Sequence, residues 1–266
     1  MKKLSMMILV MGLVVLALAG CGGKKAEDTA AGNSGSASGK KIIVGIDDKF
    51  APMGFRDDNN EIVGFDIDYA RAAGEQMGRE MVFQPIDWKS KESELKSGRI
   101  DLIWNGYTIN EDRKTKVLFT KPYLRNSQVV AVLNKSDVTK LSDLEGKEVG
   151  LQSLSSAADA LDGSELKSKV KVSEYADNVL ALSDLKNGRT AAVVIDEIVI
   201  KYYMSKEHET FKLLDEVLSP EEYGIGVKQG NEELLNELQA ALDELNKNGK
   251  AAEISVKWFG EDKVLK

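Results

Sequence analysis

The chain carries one histidine and one cysteine in 266 residues. His208 lies in the polar stretch Lys206-Glu207-His208-Glu209-Thr210 and reads as a solvated loop residue. A lone His and a lone Cys cannot assemble a Ser-His-Asp or Cys-His nucleophilic system. No His/Cys cluster has the spacing of a metal site, so no metal is expected. No glycine-rich phosphate loop is present, and no cofactor is expected. Enzymes built on carboxylates or lysine stay open. Positive charge is also in deficit, with 36 Lys and Arg against 43 Asp and Glu and a formal charge of −7. An acidic surface argues against nucleic acid as a partner. No apolar run reaches the roughly 20 residues that span a bilayer.

What is present begins with a shorter run. Lys2 and Lys3 precede an uncharged, mostly apolar stretch from Leu4 to Ala19, and small residues stand just before Cys21. A charged start, a short apolar stretch and a small-residue cleavage site describe a secretion signal over residues 1–20. The alternative is an uncleaved anchor with an incidental cysteine. Leu18-Ala19-Gly20-Cys21 resembles the bacterial lipobox, which implies a diacylated Cys21 at the new N-terminus. Lipidation also explains an unpaired thiol in an exported chain. Residues 22–40 are Gly, Ala, Ser, Lys and a few acids without apolar periodicity, so 21–40 reads as the lipidated residue and a flexible leash. The expected location is the outer face of a membrane, held by lipid.

From Lys41 onward the pattern alternates. Lys41–Ile46, Met81–Ile86 and Ile100–Trp104 read as strands. Asp66–Met77 has helical apolar spacing (Ile67, Ala70, Ala73, Met77) and stops at Gly78, and Ser90–Lys96 is a short helix before Gly98. Strands alternating with helices predict a parallel sheet covered on both faces. The layout then recurs. Leu95-Lys96-Ser97-Gly98-Arg99 precedes one strand, and Leu185-Lys186-Asn187-Gly188-Arg189 precedes another. A further strand at Glu148–Leu151 and a helix after Ser155 complete the second copy, which favours two lobes. Asn231 to Gly249 is an amphipathic helix with Leu234, Leu235, Leu238, Leu242 and Leu245 in one core-facing stripe.

Several side chains stand where a ligand would be met. Arg113 follows the N-cap candidate Asn110 and the acids Glu111 and Asp112. A cation in a first turn opposes the helix dipole at a cost of about 0.3–1 kcal/mol. It is either a surface arginine paired with Glu111 or Asp112, or a guanidinium fork aimed at an anion. Gln152-Ser153-Leu154-Ser155-Ser156 runs from a strand into a helix, where serines either cap the helix or help hold a carboxylate. Asp196 ends a strand, the edge at which open α/β sheets place ligand groups, and is either a plain N-cap or an acceptor for an ammonium. Asp47, Phe50 and Trp88 follow the first two strands and either line a side-chain pocket or, for the aromatics, sit in the core.

In this order the motifs resemble one family. They are Val44-Gly45-Ile46-Asp47 with Phe50-Ala51-Pro52, Gly64-Phe65-Asp66-Ile67-Asp68, Gly106-Tyr107-Thr108-Ile109 with Arg113, and Phe119-Thr120-Lys121-Pro122-Tyr123. Gly150-Leu151-Gln152 with Ser155-Ser156, and Lys257-Trp258-Phe259-Gly260, complete the set. Over residues 41–262 the chain is similar to the extracellular solute-binding proteins of polar amino acid ABC transporters. The resemblance implies a bilobal α/β fold of the periplasmic-binding-protein kind, with two α/β lobes, a two-strand hinge and the ligand in the cleft. Lobe 1 would be 41–126 plus 223–266, and lobe 2 would be 127–222. Arg113 would grip an α-carboxylate with Thr108 and Ser156, and Asp196 would hold the α-ammonium with the Gly106 backbone. Asp47, Phe50 and Trp88 would surround the side chain, with Asn105, Gln152 and Ser155 at the rim. Leu154 stands where the family has glycine, which is expected to reshape the loop or narrow the cleft. The implied partners are a free L-amino acid (arginine, glutamine or cystine) and permease subunits, for a monomeric, non-enzymatic protein. A dehydratase acting on arogenate or prephenate, and a sensor presenting its closed lobes to a receptor, are the alternatives.

Overall fold

The computed structural model describes residues 41–208 and 210–266. The expected signal, Cys21 and the leash lie outside the described residues. The first half contains β1 (Ile42–Ile46), β2 (Lys49–Phe50), β3 (Gly54–Arg56), β4 (Ile62–Val63), α1 (Phe65–Met77), β5 (Met81–Pro85), α2 (Lys91–Ser97), β6 (Leu102–Ile103), α3 (Glu111–Lys114), β7 (Val117–Phe119) and β8 (Leu124–Leu133). The second half contains β9 (Glu148–Gln152), α4 (Ser156–Asp162), β10 (Lys171–Tyr175), α5 (Asn178–Lys186), β11 (Ala192–Asp196), α6 (Glu197–Lys206), β12 (Phe211–Tyr223), β13 (Gly226–Lys228), α7 (Glu232–Lys247) and α8 (Lys250–Phe259).

The fold is bilobal, each lobe built on a five-stranded sheet. One sheet has the order β5-β1-β6-β13-β7 and the other β10-β9-β11-β8-β12. The expected fully parallel sheets are instead mixed. β5, β1 and β6 are parallel, but β13 runs antiparallel to β6 and β7. In the other sheet β10, β9 and β11 are parallel, and β8 pairs antiparallel with β11 and β12. The cause is connectivity. β8 and β12 carry the chain out of and back into the first sheet, so what they deliver enters from the opposite end. β8 and β12 pair from Phe211–Leu133 to Tyr223–Leu124, a two-stranded ribbon between the sheets with register shifts between Leu213 and Ser219.

The strand expected at 100–104 shortens to Leu102–Ile103, because the Asp101 carboxylate accepts the Ile43 N–H at 2.8 Å beside β1. Helix ends follow the sequence closely. Gly78 and Gly98 take left-handed conformations after α1 and α2, and the Asn231 side chain accepts the Leu234 N–H at the start of α7. Leu234, Leu238, Leu242 and Leu245 of α7 are buried against α1 and α8. Full burial of one such leucine contributes about 1.5–3 kcal/mol. Among the described residues no helix is long and apolar enough to cross a membrane.

Candidate functional site

The ends of β1 and β6 from one sheet face the ends of β9 and β11 from the other. Arg113 is a buried cation between them. Asn110 caps α3 by accepting the Arg113 N–H at 2.8 Å, which fixes the backbone of that turn. The Arg113 side chain is only 4% exposed. Its guanidinium lies 4.7 Å from the Tyr107 ring centroid and donates to the Thr108 carbonyl at 3.0 Å. The surface-pair reading fails, because Glu111 is engaged by Lys114 and Asp112 by Lys116. Arg113 instead approaches Asp159 of the facing lobe at 3.9 Å.

Asp196 is buried, and its side chain caps no helix. Asn126 performs that task, accepting the Ile198 N–H at 3.2 Å. The Asp196 carboxylate accepts from the Tyr223 hydroxyl at 2.6 Å and from the Asn126 amide at 2.8 Å. Burial pushes its carboxyl well up, and the neighbouring Glu221 carboxylate adds to the effect.

Asp47 is buried at the end of β1. It accepts from the Lys49 N–H at 3.0 Å and, across the cleft, from the Gln152 amide at 2.8 Å. Burial pushes its carboxyl up to about 6, against the pull of those two hydrogen bonds. Asn105 supports the same turn, donating to the Asp47 carbonyl at 3.3 Å. Phe50 is buried against Gly106, where an added Cβ would come within 2.8 Å of its ring and 3.1 Å of Tyr223. With φ of +60° as well, position 106 requires glycine. The Gly106 N–H is fixed by Asp66, which also accepts from Tyr123. Burial pushes the Asp66 carboxyl up to about 7. Trp88 packs edge-on to Tyr107 at 6.0 Å within a cluster with Leu95, Ile100, Ile103 and Val117.

The lobes meet directly through these residues. Thr108 and Ser156 share a hydroxyl hydrogen bond of 3.0 Å, Lys49 pairs with Asp177 at 2.8 Å, and the Lys91 ammonium donates to the Leu154 carbonyl at 2.9 Å. Ser155 behaves as the cap of α4, accepting the Ala158 N–H and donating to the Gln152 carbonyl. Leu154 sits at φ +52° and is 62% exposed. A cavity of about 330 Å³ flanks the hinge and is lined by Asn126, Ile198, Tyr202 and Trp258, apart from Arg113 and Asp47.

Three groups of importance escaped the sequence reading. Asp66 stands in the sequence reading only as one residue of the motif Gly64 to Asp68, with no role attached. Lys91, buried on α2 with its ammonium lowered to about 8 by burial and by the Arg113 cation, looks like any surface lysine of a short helix. Asn126, Gln128 and Glu221 lie on the long hinge strands, where alternation assigns a face but not a partner.

The model of the bacterial extracellular solute-binding proteins, family 3, matches residues 42–261. The L-cystine-binding protein TcyJ of Escherichia coli (strain K12) is 30% identical over 256 residues, covering 95% of each chain. The arginine-binding extracellular protein ArtP of Bacillus subtilis (strain 168) is 30% identical, covering 99% of this chain and 100% of that one. The structure of an ABC uptake transporter substrate binding protein from Streptococcus pneumoniae with bound histidine superposes with a TM-score of 0.83. It is 37% identical, and the match covers 85% of this chain and 95% of that one. These are binding proteins rather than enzymes, which sets the dehydratase reading aside. With its two sheets, hinge ribbon and cleft-facing arginine, the chain belongs to the bacterial extracellular solute-binding proteins of family 3.

Proposed function

We propose that the cleft binds a basic L-amino acid, L-arginine foremost, and that the closed protein delivers it to the permease of an ABC importer. The observation that carries this reading is a buried cation with buried carboxylates at both ends of the site: Arg113 with Asp47 on one side and Asp196 on the other. An amino acid's α-carboxylate suits the Arg113 fork, helped by Thr108 and Ser156, and its α-ammonium suits Asp196. A second cation on the ligand's side chain would meet Asp47, whose desolvated carboxyl lacks a cationic partner among the described residues. Phe50, Trp88, Gln152, Asn105 and Ser155 shape and hold the surrounding loops.

A neutral glutamine side chain would leave Asp47 uncompensated, which is why arginine is placed before it; cystine, whose second half carries its own ammonium, is the alternative. Residues 41–126 with 223–266 form lobe 1 on this reading, and 127–222 form lobe 2. The protein works as a monomer held by lipid on Cys21. Calorimetric titration of the mature protein with arginine, glutamine, cystine and histidine tests the ligand. Arginine saturating at 1,000 times Kd adds about 4 kcal/mol of stability. Tighter binding of glutamine or cystine than of arginine overturns the basic-ligand reading.

A further inference from the structure

The hinge holds acid that the binding scheme above does not use. The Asn126 amide nitrogen donates to Asp196 at 2.8 Å and to Glu221 at 2.5 Å, so two carboxylates from β11 and β12 converge on one nitrogen. Gln128 donates to the same Glu221 oxygen at 2.8 Å and to Ser156 at 3.1 Å. That links the acid pair to the Ser156–Thr108 contact at the carboxylate end of the cleft. The remaining Gln128 oxygen is fully buried and has no hydrogen-bond partner. Three acceptors therefore gather beside the position assigned to the α-ammonium.

The groups packed around the pair are neutral or already engaged. Asn126 and Gln128 approach from β8, Ser156 from α4, and the Tyr223 hydroxyl from β12. Burial holds Tyr223 neutral. Arg125, Lys201 and Lys263 line the cavity on the far side of Asn126 and pair with Glu222, Glu197 and Glu261. Among the described residues no Lys or Arg forms an ion pair with Asp196 or Glu221.

We propose that Glu221 and Asp196 form a two-carboxylate receptor for the ligand's α-ammonium, and that binding expels the proton the two acids share. This deepens the amino-acid reading and rests on it. Two carboxylates that converge on one amide nitrogen, one of them buried, resist ionising together without a cation between them. On this proposal the pair holds one proton in the ligand-free protein, which burial places on Asp196. An incoming ammonium, with its own three N–H donors, replaces that proton, which passes to the buffer. Charge balances: one cation enters the acid pair and one proton leaves. The buried Gln128 oxygen accepts one of the ammonium hydrogens.

The test is calorimetric titration of L-arginine into the full mature protein at pH 7 in two buffers of different ionisation enthalpy. The wild type is expected to release close to one proton per arginine bound. Glu221→Gln is expected to release close to none and to bind at least tenfold more weakly, while Glu221→Asp restores the release. The analogue 5-guanidinopentanoate, which lacks the α-ammonium, is expected to bind without proton release to either protein. A purely structural role for Glu221 would leave proton release intact in Glu221→Gln. Arginine binding by the wild type without proton release overturns this inference alone. Absence of binding by any of the standard amino acids overturns the amino-acid reading and this inference with it.

Discussion

At the scale of single residues, Arg113 and Asp47 both serve the ligand but differ in what they do to the fold. Arg113 is buried between the lobes, and its removal leaves the ligand carboxylate and the facing polar groups without a cation. Losing one partner of a buried charge pair costs about 3–5 kcal/mol. Arg113→Ala should therefore weaken amino-acid binding by several hundredfold, and unchanged affinity in a calorimetric titration would rule out its role. Asp47 behaves differently. Its folded carboxyl titrates near 6 rather than 3.8, so its ionisation opposes folding. The penalty is absent below pH 3.8, grows through the window up to about 6, and is complete above it. Two pH units correspond to about 3 kcal/mol. Asp47→Asn should raise the ligand-free melting temperature at pH 7, with the gain vanishing near pH 4, while lowering arginine affinity. A melting temperature that falls at pH 7 would contradict this. The positions of Arg113 and Asp196, at a helix start and a strand end, marked them as candidates in the sequence but left a surface pair and a plain N-cap equally open, and only the family resemblance attached ligand roles to them. Glu221 was not legible, because its meaning comes from Asn126 and Asp196, both far away in the chain.

Among the elements, the segment between β9 and α4 shows how a local rule is broken and compensated. Leu154 occupies a left-handed backbone conformation that costs an ordinary residue about 1–2 kcal/mol. Its side chain packs against little, but its carbonyl accepts from Lys91 across the cleft. This hydrogen bond between the lobes thus uses the backbone of Leu154 and the side chain of Lys91. Leu154→Gly should raise stability by up to about 1 kcal/mol, offset in part by the freer unfolded chain, and leave arginine affinity unchanged. Lys91→Met keeps the apolar stem and removes the donor. A hydrogen bond to a charged group contributes about 1.5–3 kcal/mol, so affinity should fall tenfold or more. The reverse pattern, with affinity lost in Leu154→Gly and kept in Lys91→Met, would show that the leucine side chain holds the cleft. Strand–helix alternation revealed the β1, α1, β5, α2 and β6 run and its counterpart in the second half, and the glycines after α1 and α2 marked their ends. It could not reveal that β13, after the excursion through β9–β11, returns to pair with β6 and β7. Periodicity reports which face is buried, and pairing between strands so distant in the chain leaves no local trace.

For the whole molecule the question is what keeps the lobes together. The contacts between them fall into two kinds. Asp47–Gln152 and Thr108–Ser156 are buried, whereas Lys49–Asp177 and Arg113–Asp159 each include one side chain that is more than half exposed. Exposed ion pairs contribute about 0–1 kcal/mol and are screened by salt. If closure rests on the buried groups and on the ligand, its salt dependence is small. Raising sodium chloride from about 0.05 M to 1 M shortens the Debye length from above 10 Å to about 3 Å. Arginine affinity should then fall by less than about fivefold, the equivalent of one exposed pair. Small-angle scattering should show the same arginine-bound dimensions at both salt concentrations. A steeper loss of affinity, with expansion at high salt, would mean that surface charge holds the lobes together and that the buried acids and Arg113 select the ligand without driving closure.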